Sequence, residues 1–318
     1  MPGQMSDTHV PSRVFRPAQQ EAETVKAGIS TPQTENPAYR LAFQDLDFLL
    51  REDLRPVRFQ LELLKPQLLL DEANIGSTFV FYGSARIPAP DKAEALLAAA
   101  EGEEAKRIAE RLVAKSKYYE VARELARIVS QLPADENGKR QFVVCSGGGP
   151  SIMEAANRGA ADVGAETIGL NIVLPHEQAP NPYVTPSLSM QFHYFALRKM
   201  HFLLHARALA AFPGGFGTFD ELFELLTLIQ TRKIDPIPVL LYGKDFWNRV
   251  VDFDALVDEG VISPRDLDIF SIVETAEEGW AIVKDFYRRR HEADAAIETV
   301  AEKAGEEIDQ QPPLERRG

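Results

Sequence analysis

Ala206-Arg207-Ala208-Leu209-Ala210-Ala211-Phe212-Pro213-Gly214-Gly215-Phe216-Gly217-Thr218-Phe219-Asp220-Glu221 is the stretch that decides the fold. The run from Ala206 to Phe212 is short and largely apolar and reads as a strand, and Phe219 to Thr231 reads as a helix. Between them Gly214, Gly215 and Gly217 let the backbone approach a ligand with no side chain in the way. The helix that follows turns its free N–H groups and the positive end of its dipole toward the same spot. Such a turn suits a phosphate. Thr218 and Glu221 lie at its exit, so an anion cradle stands beside a carboxylate. That combination points to chemistry on a phosphorylated sugar or nucleotide.

Working outward, strand-like and helix-like stretches alternate. Strands are expected at 78–82, 141–145, 167–173, 206–212, 238–242 and 269–273. Helices are expected at 91–132 (two, broken near Gly102), 151–163, 198–205, 219–231, 246–258 and 276–290. This alternation predicts an α/β fold with a doubly wound, mostly parallel sheet. Ligands in such sheets sit at the carboxyl ends of the strands. Gly83-Ser84, Gly147-Gly148-Gly149 and Gly214-Gly215-x-Gly217 all fall just after strands, so three glycine-bearing ends converge on one edge. Residues 1–36 are polar and without periodicity and read as disordered. Residues 37–76 read as extra N-terminal helices packing on the core, with breaks or helix starts at Pro56 and Pro66. Residues 77–290 form the nucleotide-binding domain, and 291–318 a polar tail.

Composition narrows the partners. The 318 residues carry a formal charge of −13, which argues against binding DNA or RNA, since such proteins present a basic face. A nucleotide is compatible, because a few N–H groups and one arginine hold it inside an acidic protein. Cys145 is the sole cysteine, so no intrachain disulfide forms, and its place at the end of an apolar run favours an inert buried thiol. The N-terminus lacks a basic-then-apolar signal pattern. No apolar run reaches the ~20 residues of a membrane span. A cytoplasmic protein is expected.

Each motif has a plainer reading beside the functional one. Ser151 and Glu154 after the glycine triplet fit a capping box, as do Thr218 and Glu221, so either acid can serve only to cap its helix. The triplet is neither the dinucleotide fingerprint nor a P-loop. Arg198 is a surface charge or, just ahead of a strand, a forked grip on phosphate or ribose. The stretch 174–191, with four prolines, reads as a long loop, either a lid or a rigid excursion. His176 and His193 are not spaced as a metal pair, and no metal site or cofactor is expected.

Pro213-Gly214-Gly215-x-Gly217-Thr218-x-x-Glu221, Arg198-Lys199 and Gly147-Gly148-Gly149 together resemble the signature of the Lonely Guy (LOG) family, over about 78–286. The resemblance implies a modified Rossmann fold, usually a homodimer, without cofactor. It implies hydrolysis of the N-glycosidic bond of a nucleoside 5′-monophosphate such as AMP, giving free base and ribose 5-phosphate. On that basis Arg198 and Glu221 are catalytic. Gly214, Gly215, Gly217 and Thr218 hold phosphate, and Gly83, Ser84, Gly147, Gly148, Gly149 and Lys199 line the substrate. Short family members carry Met-His-Glu before Arg-Lys and Gly-Leu-Met-Gly after the triplet; here stand Phe195-Ala196-Leu197 and Ser151-Ile152-Met153-Glu154. Adenine and other purines therefore stand beside a cytokinin as the base. A carrier or sensor that binds the nucleotide without hydrolysis is the alternative, and a scaffold built around the extra helices is a third. The lysine decarboxylase label often attached to such proteins finds no lysine in a recognisable pyridoxal-phosphate setting.

Overall fold

The computed structural model describes residues 16–26, 29–175 and 179–309. The chain divides into two compact units, residues 1–62 and 63–318. The first holds helices α1 (Ala18–Lys26) and α2 (Leu46–Leu49) with short 3-10 turns between them. Asp45 caps α2 by accepting from the Phe48 N–H at 3.2 Å. Helix α1 lies within the stretch whose composition suggested no regular structure; residues 1–15 and 27–28 of that stretch lie outside the described residues. Helix α3 (Arg55–Glu72) begins in the first unit and ends in the second. Pro56 sits in its first turn, where a missing N–H costs nothing. Pro66 does not break the helix: it lies inside α3, buried, where packing offsets the lost hydrogen bond.

The second unit is built on seven strands: β1 (Thr78–Tyr82), β2 (Val143–Ser146), β3 (Ile168–Ile172), β4 (Ser189–Phe192), β5 (Ala206–Ala211), β6 (Val239–Tyr242) and β7 (Phe270–Val273). They form one sheet in the order β4-β3-β2-β1-β5-β6-β7, and every neighbouring pair is parallel. This is the doubly wound α/β sheet that the alternation predicted, with one strand more than the six expected. The addition is β4, inside the proline-bearing stretch taken for a loop. It is an edge strand of four residues in which Met190 and Phe192 are buried and Gln191 is exposed. That alternation is the period-2 signal of a half-buried strand, but it is too short to stand out among prolines.

The two faces of the sheet are covered by different helices. Val80, Tyr82, Leu209 and Ala211 pack with Phe202 of α7 (Phe195–Leu204), Leu222 and Leu225 of α8 (Phe216–Gln230) and Trp247 of α9 (Lys244–Val250). Phe79, Phe81, Ala208 and Ala210 pack on the other face with α5 (Glu103–Val129), α6 (Ile152–Ala161) and Val283 of α11 (Ala276–Asp309). Helix α4 (Pro90–Ala98) precedes α5, so the expected break near Gly102 is present, and α10 (Phe253–Asp258) lies between α9 and β7. Gly159 of α6 lets the α5 backbone come close: a Cβ there would meet the Arg123 carbonyl oxygen at 2.0 Å. Helix α11 continues to Asp309, well past the end at 290 that the pattern suggested.

Strand order reverses at β1. Strands β2 to β4 lie on one side and β5 to β7 on the other, so a crevice opens between the carboxyl ends of β1 and β5. Its two lips are tied together: the Phe212 N–H donates to the Tyr82 carbonyl at 2.8 Å and the Ser84 N–H to the Pro213 carbonyl at 3.1 Å. Among the described residues no helix is long and apolar enough to cross a membrane.

Candidate functional site

The glycine turn after β5 delivers the chain into α8 earlier than the sequence pattern implied. The helix starts at Phe216, with Gly215 as its N-cap and no capping side chain. Gly217 and Thr218 therefore lie in the first turn. The first N–H groups of a helix have no intrahelical partner, and those of Gly215, Phe216, Gly217 and Thr218 meet no acceptor among the described residues. Gly214 is required by packing: a Cβ there would sit 2.1 Å from Thr218 Oγ1. A Cβ on Gly215 or Gly217 would meet nothing within 4 Å, so the turn is open on the side where those side chains would stand. The first turn of α8 thus presents its backbone donors at the lip of the crevice, and a helix end of this kind suits an anion.

Because α8 begins at Phe216, Thr218 is not its cap and Glu221 is not in its first turn. The capping box expected of this pair is not formed. Glu221 instead meets Arg198, carried by α7. Arg198 Nε donates to the Leu170 carbonyl of β3 at 2.7 Å, and Nη1 donates to Glu221 Oε1 at 2.8 Å. The guanidinium also lies 4.9 Å from the Phe202 ring centroid. The Arg198 and Glu221 side chains are 9% and 14% exposed, so the ion pair is nearly buried. Burial pushes the Glu221 carboxyl above the usual carboxylate range, against the charge and hydrogen bond of Arg198, which hold it down. Tyr82, at the end of β1, completes this wall with its ring edge-on to Phe202 at 5.2 Å. Burial, and then the Glu221 charge, keep its hydroxyl protonated. The buried Cys145 thiol is likewise pushed up by desolvation, in keeping with an inert role.

The remaining candidate residues divide by what holds them. A Cβ on Gly147 would lie 2.6 Å from Arg198 Nη2, so the triplet touches the ion pair directly. Gly148, at φ +71°, has its N–H taken by Ser146 Oγ at 3.0 Å and its carbonyl by Asn181. The Gly148 N–H is thus engaged within the chain. A Cβ on Gly149 would meet Met153 at 2.6 Å, and one on Gly83 would meet Ile152 at 2.4 Å, so both glycines permit close packing of α6. Ser84 bridges the lips through its backbone and accepts from the Arg86 N–H with its hydroxyl at 3.0 Å. Lys199 Nζ pairs with Asp220 at 3.1 Å and with Glu224 at 3.1 Å, on the seam between α7 and α8. The capping box at Ser151 is also absent: Ser151, at φ +65°, makes no capping bond, and Glu154 accepts from the Tyr119 hydroxyl at 2.8 Å.

Three asparagines that the sequence reading passed over surround the triplet. Asn157 and Asn181 hydrogen-bond each other at 2.9 Å, and Asn171 Oδ1 would be 2.4 Å from a Cβ on Gly148. A lone Asn among Ala155, Ala156, Gly159 and Ala160 on the buried face of α6 was a signal available in the sequence. A cavity of about 980 Å³ lies elsewhere, near Ser77, Gln141 and Ala206 at the amino ends of the strands, away from these residues. Among the described residues no group of His, Cys, Asp and Glu is gathered to hold a metal; His176 lies outside them.

A family described as "Possible lysine decarboxylase" matches residues 153–283. Cytokinin riboside 5′-monophosphate phosphoribohydrolase LOG2 of Arabidopsis thaliana is 30% identical over 153 residues, 47% of this chain and 67% of that protein. The chain belongs to the LOG family. Cytokinin riboside 5′-monophosphate phosphoribohydrolase LOG3 of the same plant is 30% identical over 139 residues, 43% of this chain. The chain spans 63% of the length of LOG3. Among solved structures, the molybdenum cofactor carrier protein MCP of Chlamydomonas reinhardtii is 16% identical, with a TM-score of 0.38, over 67% of this chain and 99% of that one. The residues of this LOG-family member that meet in space are Arg198, Glu221 and the cradle of α8. Lys199 is engaged by two acids.

Proposed function

We propose that this LOG-family chain hydrolyses the N-glycosidic bond of a purine nucleoside 5′-monophosphate, AMP or a cytokinin nucleotide, to free base and ribose 5-phosphate. The observation that carries the reading is the nearly buried Arg198–Glu221 pair beside four backbone donors with no acceptor among the described residues. The phosphate docks on the first turn of α8, and its binding energy is used at the reacting carbon. Breaking C1′–N sends the bonding pair to the base and builds positive charge on the ribose ring. The Glu221 carboxylate stabilises that charge and orients the attacking water and the ribose hydroxyls. Water supplies a hydroxyl to C1′ and a proton that leaves with the base. Arg198 orients Glu221 through Nη1, and its remaining donors face the phosphate or the departing base. Family likeness also leads us to propose a cytoplasmic homodimer, which light scattering on the full chain tests for mass.

A panel of nucleoside monophosphates assayed for ribose 5-phosphate tests the activity. Purine monophosphates are expected to release base. Glu221→Gln keeps shape and removes charge, and turnover is expected to fall by at least about 100-fold. An unaffected Gln variant overturns the assignment. Tight binding of AMP without release of adenine by the wild type favours the carrier.

A further inference from the structure

We infer that Ser146, Asn157 and Asn181 are positioning residues that lock the glycine triplet as a seat for Arg198. The inference rests on the reading of Arg198 as catalytic.

Asn157 is fully buried in α6 and uses all four of its hydrogen-bonding positions. Its Oδ1 accepts from Ser146 Oγ at 2.7 Å and from Asn181 Nδ2 at 2.9 Å. Its Nδ2 donates to Thr167 Oγ1 at 2.6 Å and to the Ile168 carbonyl at 3.3 Å. A flipped amide would set donor against donor, so the orientation is fixed. The two groups Asn157 holds are the two that grip the loop. Ser146 Oγ accepts from the Gly148 N–H at 3.0 Å. Asn181 donates its backbone N–H to the Gly148 carbonyl at 2.8 Å, and its Nδ2 to the Gly148 and Gly149 carbonyls at 3.1 and 3.0 Å. One N–H and two carbonyls of the loop are thus engaged within the chain.

What the loop does touch is Arg198. The space a Cβ would fill on Gly147 ends 2.6 Å from Nη2 and 2.8 Å from Met153 Sδ, and Nη2 is the corner of the guanidinium with no acceptor among the described residues. A shift of the loop toward α7 would push that corner; a shift away would release it. Buried polar networks with every member satisfied specify one geometry. This one draws together the end of β2, the middle of α6 and the segment around Asn181 at the seat of Arg198.

The test uses the full chain and four variants: Ser146→Ala, Asn157→Asp, Asn181→Ala and Gly147→Ala. The last keeps the three polar side chains and brings its methyl against Nη2 and the flexible Met153 side chain. Turnover of AMP, competitive inhibition by ribose 5-phosphate and the thermal midpoint are measured for each, with crystal structures of Asn181→Ala and Gly147→Ala. Expected is a fall in kcat of about 10- to 100-fold, the scale of a 1 Å misplacement, with inhibition by ribose 5-phosphate within about threefold of wild type, since the phosphate site of α8 is untouched. In the crystals the guanidinium of Arg198 is expected to have moved. Weakened ribose 5-phosphate binding in step with kcat overturns the inference, because the triplet then holds the phosphate. So does unchanged kcat with a lowered midpoint, which makes the network mere scaffolding. Should wild type release no base, the hydrolase reading fails by itself. Arg198 unmoved in both crystals then overturns the seat, and Arg198 displaced upholds it.

Discussion

Glu221 stands between two opposed influences. Burial disfavours its charge, and Arg198 at 2.8 Å favours it. Desolvation is the larger, so its carboxyl sits above the ordinary glutamate value of about 4.3. The sign for catalysis follows. The ionised form is the active one, so activity is lost as pH falls through the raised value, and the acid limb of kcat/KM lies above the range of a free glutamate. Replacing Arg198 with Gln removes the influence that holds the carboxyl down, so in Arg198→Gln the limb is expected to move to still higher pH. A limb that stays or moves down in pH–rate profiles would show that another group titrates. The residue types were legible in the sequence, but the choice between capping and pairing was not. Capping was a local reading of Thr218-x-x-Glu221; the helix start at Phe216 removed it and left Arg198, 23 residues earlier, as the partner.

The first turn of α8 separates two glycines that look alike in sequence. Gly217 has open space where a Cβ would go, and Gly214 has Thr218 Oγ1 at 2.1 Å. Gly217→Ala replaces a glycine by a better helix former, worth about 0.5–1 kcal/mol of stability, while its methyl enters the ligand's space. Its thermal midpoint is expected to rise while KM for AMP rises about tenfold or more, a loss of about 1.4 kcal/mol in binding. Gly214→Ala is expected to lower the midpoint, at the cost of about 1–3 kcal/mol typical of overpacking. Melting curves beside steady-state kinetics check both; a Gly217→Ala protein with normal KM would place the phosphate elsewhere. Elements were read best where their periodicity was long. The helices on both sides of Gly102 and the other six strands were visible, whereas β4, with two buried residues in four, was hidden by the prolines before it.

At the scale of the whole molecule, the sheet order creates the crevice. The reversal at β1 brings Gly214 and its neighbours beside Gly83, and α7 crosses back to place Arg198 over β3. A ligand that binds only the folded form stabilises it by linkage, about 2.7 kcal/mol at 100 times its dissociation constant. Ribose 5-phosphate and AMP are both expected to raise the melting midpoint of the full chain, and adenosine, lacking the phosphate, is expected to leave it unchanged. Equal shifts from adenosine and AMP would argue against the cradle. The acidic total of −13 leaves this local site intact, because backbone donors and one arginine set the field there.

The sequence by itself determined the class of fold and the place of the glycine turns at strand ends, since strand and helix periods and glycine turns are local properties of the chain. Tertiary structure alone decided which acid Arg198 pairs with, which glycines remain open to a ligand, and that three buried polar side chains clamp the triplet. Those are contacts between segments far apart in the chain, fixed by which strands lie side by side and by how deeply each charge is buried, and no spacing within one segment encodes them.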